Sequence, residues 1–364
     1  MIYSILLAIL LISLVLLLVW QLLRWLPAGA DKLNPLPYFI ALLPIAPFCA
    51  ALGLIASAVA AVATRSQNEF YKSYVFLCIA YFVLFVISLK SYSHYFAKRL
   101  MRIKQEKSPE SSLISPEKSL EIRVMTLNCR YGRANASQII KLAKTHKIDT
   151  ILLQEVSEKL VKNLEKLGIR RNFANMQLGN TNNHENGGFN AIYTRLSNIK
   201  ESFGKSIKID AANVPIVTAV ACDSSLAAFD SSAENLLITF ASAHPKSPMR
   251  GCAAWSSGIM ALAKIGENHN ESNVKKVTII GGDLNSTPDH PSFRALLKSG
   301  FFDASMQIGK RLKTWPTWQK WPNLALDHVL VKSTECNAIA TEQRAIRVDG
   351  SDHFALIVCV SIPL

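Results

Sequence analysis

The chain offers no cysteine framework. Its seven cysteines, at 49, 78, 129, 222, 252, 336 and 359, are odd in number and include no CxxC pair. Most stand in apolar, strand-like stretches. That excludes a disulfide-stapled secreted scaffold and a thiolate zinc site, and it points to reduced, buried thiols in a reducing compartment. Internal repeats are absent as well. Charge is scarce at the front of the chain: residues 1–107 hold 10 Lys/Arg against 3 Asp/Glu. That is half of the overall net charge of +14. The other half is spread over 257 residues with no strong basic stripe and no inserted segment suited to gripping DNA. A modestly basic soluble part fits a phosphorylated or polyanionic substrate or an anionic membrane surface, and equally a merely soluble surface.

What fills the charge-poor front is apolar. Ile2 to Leu23 is interrupted only by Ser4, Ser13 and Gln21, and about 20 such residues cross a bilayer as a helix. No basic stretch precedes this run and no small-x-small site closes it, which argues against a cleaved leader. Trp20 and Trp25 sit where interfacial aromatics belong. A second run, 36–63, carries Pro37, Pro44 and Pro47, and a third, 73–92, is rich in aromatics. Residues 1–103 are therefore read as a three-span anchor in a cell membrane. Lys and Arg cluster on the side of the 24–37 loop and the segment after the third span, which places the following domain in the cytoplasm. Residues 104–120, rich in Ser, Pro, Glu and Lys, read as a linker.

From 121 onward strand and helix patterns mix. Strands are expected at 122–127, 150–153, 188–194, 215–222, 236–241, 277–280, 326–331 and 354–362. Helices are expected at 137–145, 157–167 with Ser157 as N-cap, 253–268, and 291–297 with Pro291 in the first turn. Strands outnumber helices, and both hairpin and crossover connections occur, so the expected architecture is two mixed sheets packed together. The apolar run 277–280 leads into Gly281-Gly282-Asp283-Leu284-Asn285, where the glycines are read as ending the strand in a tight turn.

Polar residues recur at these strand ends. Asn128 closes the first, Gln154-Glu155 the second, and His244 follows 236–241. Asp283 and Asn285 follow 277–280, Asp327 opens 326–331, and Ser351-Asp352-His353 precedes the last strand. Asn128, Glu155 and Asp352 are hard oxygen ligands of the kind Mg²⁺ prefers. Asp283 suits the orientation and deprotonation of a water, and His244 and His353 suit donation to phosphate oxygens. Asp327 suits holding the His353 ring in one tautomer. Together these groups describe metal-assisted in-line attack on a phosphoester.

The motifs TLN (126–128), QE (154–155), HP (244–245), GDLN (282–285), LDH (326–328) and SDH (351–353) stand in an order that resembles the endonuclease/exonuclease/phosphatase superfamily, with its deoxyribonuclease-I-like fold. The resemblance covers roughly 121–364. It implies a four-layer α/β/β/α sandwich and a divalent-cation-dependent phosphoesterase using Mg²⁺ or Mn²⁺. It also implies that Asn128 and Glu155 are metal-site residues, and that Asp283 and Asn285 position the water and the phosphate. His244, Asp327, Asp352 and His353 complete the set, with Asp352 either a metal ligand or the polariser of a histidine. Cys129 and Arg130 stand where relatives that cleave abasic DNA carry a second acid, which puts a second metal in doubt. Nucleic acid and phospholipid both remain open as substrates, and a silent membrane receptor is the rival of another class. Trp315, Trp318 and Trp321 are read as buried loop aromatics, with stacking on bases or contact with lipid as the alternatives, His328 and His290 as structural, and the polar, Gly-rich loop 179–188 as a mobile border of the cleft. Lys246 and Arg250 are further candidates for phosphate contact.

Overall fold

The computed structural model describes residues 1–93, 95, 119–181, 186–196, 199–201, 206–210, 212–220, 236–266, 274–321 and 323–364. Of the expected linker, residues 104–118 lie outside that set, whereas Ser119 and Leu120 already belong to the first strand.

Three stretches, Ile2–Trp25, Leu36–Ala63 and Asn68–Ser93, are long and apolar enough to cross a membrane. Their helices are α1 (Ile2–Leu22), α2 (Leu36–Ala41), α3 (Ala46–Ala63) and α4 (Asn68–Ser88). The second stretch is broken between α2 and α3 by a tighter 3₁₀ turn, Leu43–Ile45, beside Pro44 and Pro47. Proline has no N–H to donate, so an interruption there follows from the sequence. Tyr74 and Tyr81 of α4 are fully buried against α1, and their hydroxyls donate to Tyr3 O (2.7 Å) and Leu10 O (2.8 Å). A phenol facing an apolar environment needs such an acceptor.

The soluble part is built from two sheets. Its first half comprises β1 (Ser119–Asn128), α5 (Ala136–Thr145), β2 (Thr150–Val156), α6 (Glu158–Lys166), β3 (Asn175–Leu178), β4 (Phe189–Thr194), β5 (Ile199–Glu201), β6 (Ser206–Ile209) and β7 (Ala212–Val220). The second half comprises β8 (Leu236–Ser242), α7 (Cys252–Ala261), β9 (Lys275–Asp283), α8 (Pro291–Lys298), β10 (Phe302–Asp303), α9 (Ala304–Ile308), β11 (Asp327–Thr334), β12 (Ile339–Arg347) and β13 (Phe354–Pro363). One sheet runs β12-β13-β1-β2-β4-β3, and the other runs β10-β11-β9-β8-β7-β5 with β6 also paired to β7. Each contains a single parallel pair, β1 with β2 and β8 with β9. All other pairings are antiparallel.

Alternation along the strands makes the layers. Ile122, Val124 and Leu152 face Ile238, Phe240, Val277 and Ile279 in the core between the sheets. Met125, Leu127, Ile151 and Leu153 point the other way, onto Ile139 of α5 and Leu160 and Leu164 of α6. Ala241, Ile280 and Leu330 likewise meet Trp255 and Ile259 of α7 and Phe293 and Leu296 of α8. The result is the expected α/β/β/α sandwich. Ser157 caps α6, its hydroxyl accepting from Leu160 N–H. The helix expected over 253–268 is shorter: α7 ends at Ala261, a 3₁₀ turn covers Leu262–Lys264, and Gly266 then has φ +83°. Gly281 and Gly282 do not end a strand. β9 runs through both to Asp283, neither has positive φ, and a Cβ on Gly282 would strike Ala243 O. Gly282 admits the close approach of the chain leaving β8, and Gly281 that of Leu152 and Thr126 from the facing sheet.

The N-terminal helical part is bound to the sandwich through buried polar contacts. Between α1 and α2, the fully buried Asp31 accepts from Ser292 N–H (2.9 Å), the Ser292 hydroxyl and the Ser256 hydroxyl (3.1 Å), so it clamps α7 and α8. Arg294 donates to Leu26 O at 3.0 Å. His290 accepts Thr287 N–H at Nδ1 (2.8 Å), so Nε2 is the protonated nitrogen facing Pro37 O (3.0 Å). Asp31→Ala leaves these donors buried without an acceptor, and it is expected to destabilise the contact between the N-terminal helices and the sandwich by about 1–3 kcal/mol. Faster hydrogen exchange at Ser292 N–H in the detergent-solubilised chain is the readout, and unchanged exchange would contradict the clamp.

Candidate active site

The two parallel pairs place four C-terminal strand ends side by side, and the antiparallel neighbours β11 and β13 begin at that same end. Asn128 ends β1, Glu155 is the second-last residue of β2, His244 follows β8, and Asp283 ends β9. Asp327 is the first residue of β11 and pairs directly with Asp283, while His353 stands just before β13. The Asn128 side chain ties the two sheets together, donating from Nδ2 to Glu155 Oε1 (3.0 Å) and to Asp283 Oδ2 (3.0 Å). Below it Gln154 makes a second tie, accepting from the Thr126 hydroxyl and donating to the Ser242 hydroxyl at 2.9 Å.

Several of these residues are held in costly backbone conformations. Glu155, Asn285, Arg130 and Tyr131 have φ of +50°, +48°, +45° and +55°, each worth on the order of 1–3 kcal/mol for a side-chain-bearing residue. Neighbours sustain them. Tyr131 N–H donates to Glu155 Oε2 at 2.9 Å, and Gly132 N–H to Glu155 O at 2.7 Å. Gly187 makes room for the Glu155 carboxylate, since any Cβ there would collide with it. The sequence signal was the Gly187-Gly188 pair, read only as loop composition. Of the loop expected to border the cleft, 182–185 lies outside the described residues, but Asn186 lines the cleft and donates to His244 O (3.1 Å).

Two histidines flank Asp283. His353 Nε2 and His244 Nε2 each lie 3.5 Å from Asp283 Oδ2, and Asn285 Nδ2 lies 3.4 Å from His244 Nε2. His353 Nδ1 meets Asp327 Oδ2 at 2.8 Å. Burial alone would lower the His353 pKa, but the charges of Asp327 and Asp283 outweigh it and push it up to about 10. Burial would likewise raise the Asp283 carboxyl, yet His353, His244 and the Asn285 N–H (2.9 Å) hold it well below the usual carboxylate range. Asp327 is positioned through Thr314, whose hydroxyl accepts from the Asp327 and Leu326 N–H groups, both at 3.1 Å. Ser351 fixes the last motif to the first: its hydroxyl donates to Asn128 O (2.6 Å) and accepts from His353 N–H (2.9 Å). His328 has a separate, structural part, as expected. It bridges Asp303 (2.6 Å) and Ser286 O (3.0 Å), and those acceptors raise its pKa against the opposing effect of burial.

Glu155, His244, Asp283, Asn285, Asp352 and His353 all line one cleft of about 610 Å³, with Asn128 and Asp327 bonded directly behind them. All eight residues singled out from the sequence thus converge. Asp352 is held by Trp315 Nε1 (3.4 Å from Oδ2) and by Arg130 Nε (3.9 Å from Oδ1). The donor set fits a hard divalent cation. Glu155 carries one hydrogen bond on each oxygen, which leaves acceptor capacity beside the cleft, and Asp352 brings a second carboxylate. Asp283, Asp327 and His353 also cluster, with one ligand atom from each within 4.8 Å of the others. Their short pairing leaves them better suited to proton handling.

Two mixed sheets carrying this carboxylate–histidine end define a deoxyribonuclease-I-like α/β sandwich. The chain belongs to the Endonuclease/Exonuclease/phosphatase family, whose sequence profile matches residues 125–353. Among solved structures it is similar to a D. rerio TDP2 humanized by 14 mutations, with 18% identity and a TM-score of 0.52, covering 66% of this chain and 98% of that one. D. rerio TDP2 complexed with single strand DNA product gives 17% identity and a TM-score of 0.51 over the same shares. An endonuclease/exonuclease/phosphatase from Beutenbergia cavernae DSM 12333 gives 14% and 0.46, covering 66% and 71%. At these identities the likeness is one of fold. No curated protein matches the sequence.

Proposed function

We propose that the chain is a membrane-anchored, divalent-cation-dependent phosphoester hydrolase. The observation that carries this reading is the buried Asp283, ionised between His353 and His244 at 3.5 Å from each, in a cleft shared with Glu155 and Asp352. Asp283 orients a water and receives its proton as the water oxygen bonds to phosphorus. His353, held cationic by Asp327, donates to a non-bridging oxygen where negative charge grows. Asn285 and His244 hold the phosphate on the other side of Asp283. One P–O ester bond breaks, and the leaving oxygen is protonated from solvent or a neighbouring acid. Glu155, Asp352 and Asn128 would hold Mg²⁺ or Mn²⁺, which when bound supplies Lewis-acid polarisation of the phosphoryl group. The three apolar helices serve as the anchor, and the Lys/Arg bias of the flanking loops favours a cytoplasmic sandwich.

The test uses the full-length protein in detergent with an activated soluble phosphodiester and Mg²⁺, Mn²⁺ or EDTA. Turnover that EDTA abolishes supports the proposal. Metal binding without turnover on any phosphoester would favour the silent receptor. Glu155→Gln is expected to weaken Mg²⁺ binding by at least about tenfold, measured by calorimetric titration independently of activity. Unchanged binding would remove Glu155 from the metal set.

A further inference from the structure

The cleft is not made by the sandwich alone. Pro37, Tyr38 and Ala41 of α2 line it together with Asp283, Asp352 and His353. This wall is fixed rather than loosely apposed, because Pro37 O is bonded to the buried His290 and the preceding turn is clamped at Asp31. One side of the candidate catalytic centre therefore belongs to α2, the N-terminal end of the second membrane-crossing stretch.

Two pairs of aromatic contacts lie on one loop between that stretch and the reacting groups. Phe48, in the first turn of α3, meets the Trp321 ring edge-on with centroids 5.8 Å apart. Trp318 meets Trp315 at 6.0 Å. Trp315 lines the cleft and donates to Asp352. Contrary to the expectation of buried loop aromatics, Trp318 and Trp321 are 61% and 56% exposed, and Met249 at the cleft is 85% exposed. Exposed tryptophans are also stacking platforms for bases. Here Trp321 touches a residue of a bilayer-crossing helix, which sets the loop at the height where tryptophan favours the membrane interface. The headgroup layer is only about 5–8 Å deep on each face, so a cleft walled by α2 opens at or beside it. Arg130 and Arg250 line the same cleft and supply positive charge for a phosphate.

Resting on the phosphoesterase reading above, we infer that the substrate is a phosphoester whose alcohol is a membrane lipid, hydrolysed while the lipid stays seated in the bilayer. Trp318, Trp321 and Met249 seat the cleft mouth on the interface, and α2 guides the headgroup to Asp283. Water adds to phosphorus, one P–O ester bond breaks, and the released alcohol oxygen takes up a proton. A nucleic acid would instead have to run its backbone along a wall closed by α2, beside a layer of lipid phosphates that repel it.

The experiment uses full-length protein in phosphatidylcholine vesicles carrying phosphatidylglycerol, a diester, or phosphatidic acid, a monoester. Comparison substrates are the dihexanoyl forms of both lipids, dissolved as monomers, a single-stranded oligonucleotide and an activated soluble phosphodiester. At least one bilayer lipid is expected to turn over about tenfold or more faster than its soluble form at equal phosphate concentration. Trp318→Ser with Trp321→Ser is expected to lower that ratio several-fold and to reduce quenching of tryptophan fluorescence by headgroup-proximal brominated lipids. Trp321→Phe, which keeps the ring, preserves the ratio. Equal rates on bilayer and soluble forms, faster cleavage of the oligonucleotide, or a ratio indifferent to the double variant overturns the inference while leaving the phosphoesterase reading intact. Silence on every substrate, including the activated diester, overturns both.

Discussion

Asp283→Asn is expected to lower kcat by at least about 10³-fold, with binding of Mg²⁺ and substrate retained. The size follows from two losses at one atom. General-base assistance is worth about 10²–10⁴-fold, and the carboxylate is also the charge against which both histidines are poised. The fold is expected to survive, because the amide oxygen can still accept from Asn285 N–H, and only the bond from the Asn128 amide to the second carboxylate oxygen is lost. Steady-state kinetics on an activated phosphodiester measures the effect, and calorimetry with Mg²⁺ controls for the site. A variant that keeps more than about a tenth of native turnover would move the base elsewhere, since a group supplying so little is no general base. The most direct alternative would be Glu155, which shares the Asn128 amide with Asp283.

The strand-end logic was legible because it is local. Asn128, Glu155 and Asp283 each follow an apolar, β-branched run, and a run buried on both faces delivers its next polar residue to the sheet end. Less legible was anything set by a partner in space. β12 reads IATEQRAIR with no clean alternation, because it is an edge strand with a bulge between Ala340 and Glu342. The short strand β3, with every residue half-buried, has no pattern of its own. The two glycines before Asp283 carry a turn signal by composition, but what they answer to is Leu152 of the facing sheet and Ala243 just after β8. Nothing local hints that Asp31, an acid between apolar runs, reaches Ser256 and Ser292. A contact between residues more than two hundred positions apart leaves no periodicity to read. The same holds for Pro37 and Tyr38, whose place on the cleft wall depends on that clamp.

Asp327→Asn is the companion experiment, expected to lower kcat by about 10²–10³-fold without touching the water-activating carboxylate. In the native protein His353 is buried, which favours the neutral ring, and it is the adjoining carboxylates, Asp327 foremost, that push its pKa up to about 10. The amide can still accept from Nδ1, so the ring keeps its orientation. With the charge gone, burial counts for more and the pKa falls. The sign for stability follows from the same shift. An imidazole that titrates near 6.5 when unfolded and at about 10 when folded contributes stability that is fully present below the lower value and lost as pH rises through the upper one. Native protein should therefore lose this contribution progressively between those pH values, and the variant should lose less over the same interval. NMR titration of the His353 ring in metal-free protein separates these statements from any effect of a bound cation. A ring that still titrates near its native value in the variant would show that Asp327 orients His353 without charging it. The loss of turnover would then have to be geometric, and Asp283, 3.5 Å from Nε2, would be the carboxylate that holds the imidazolium.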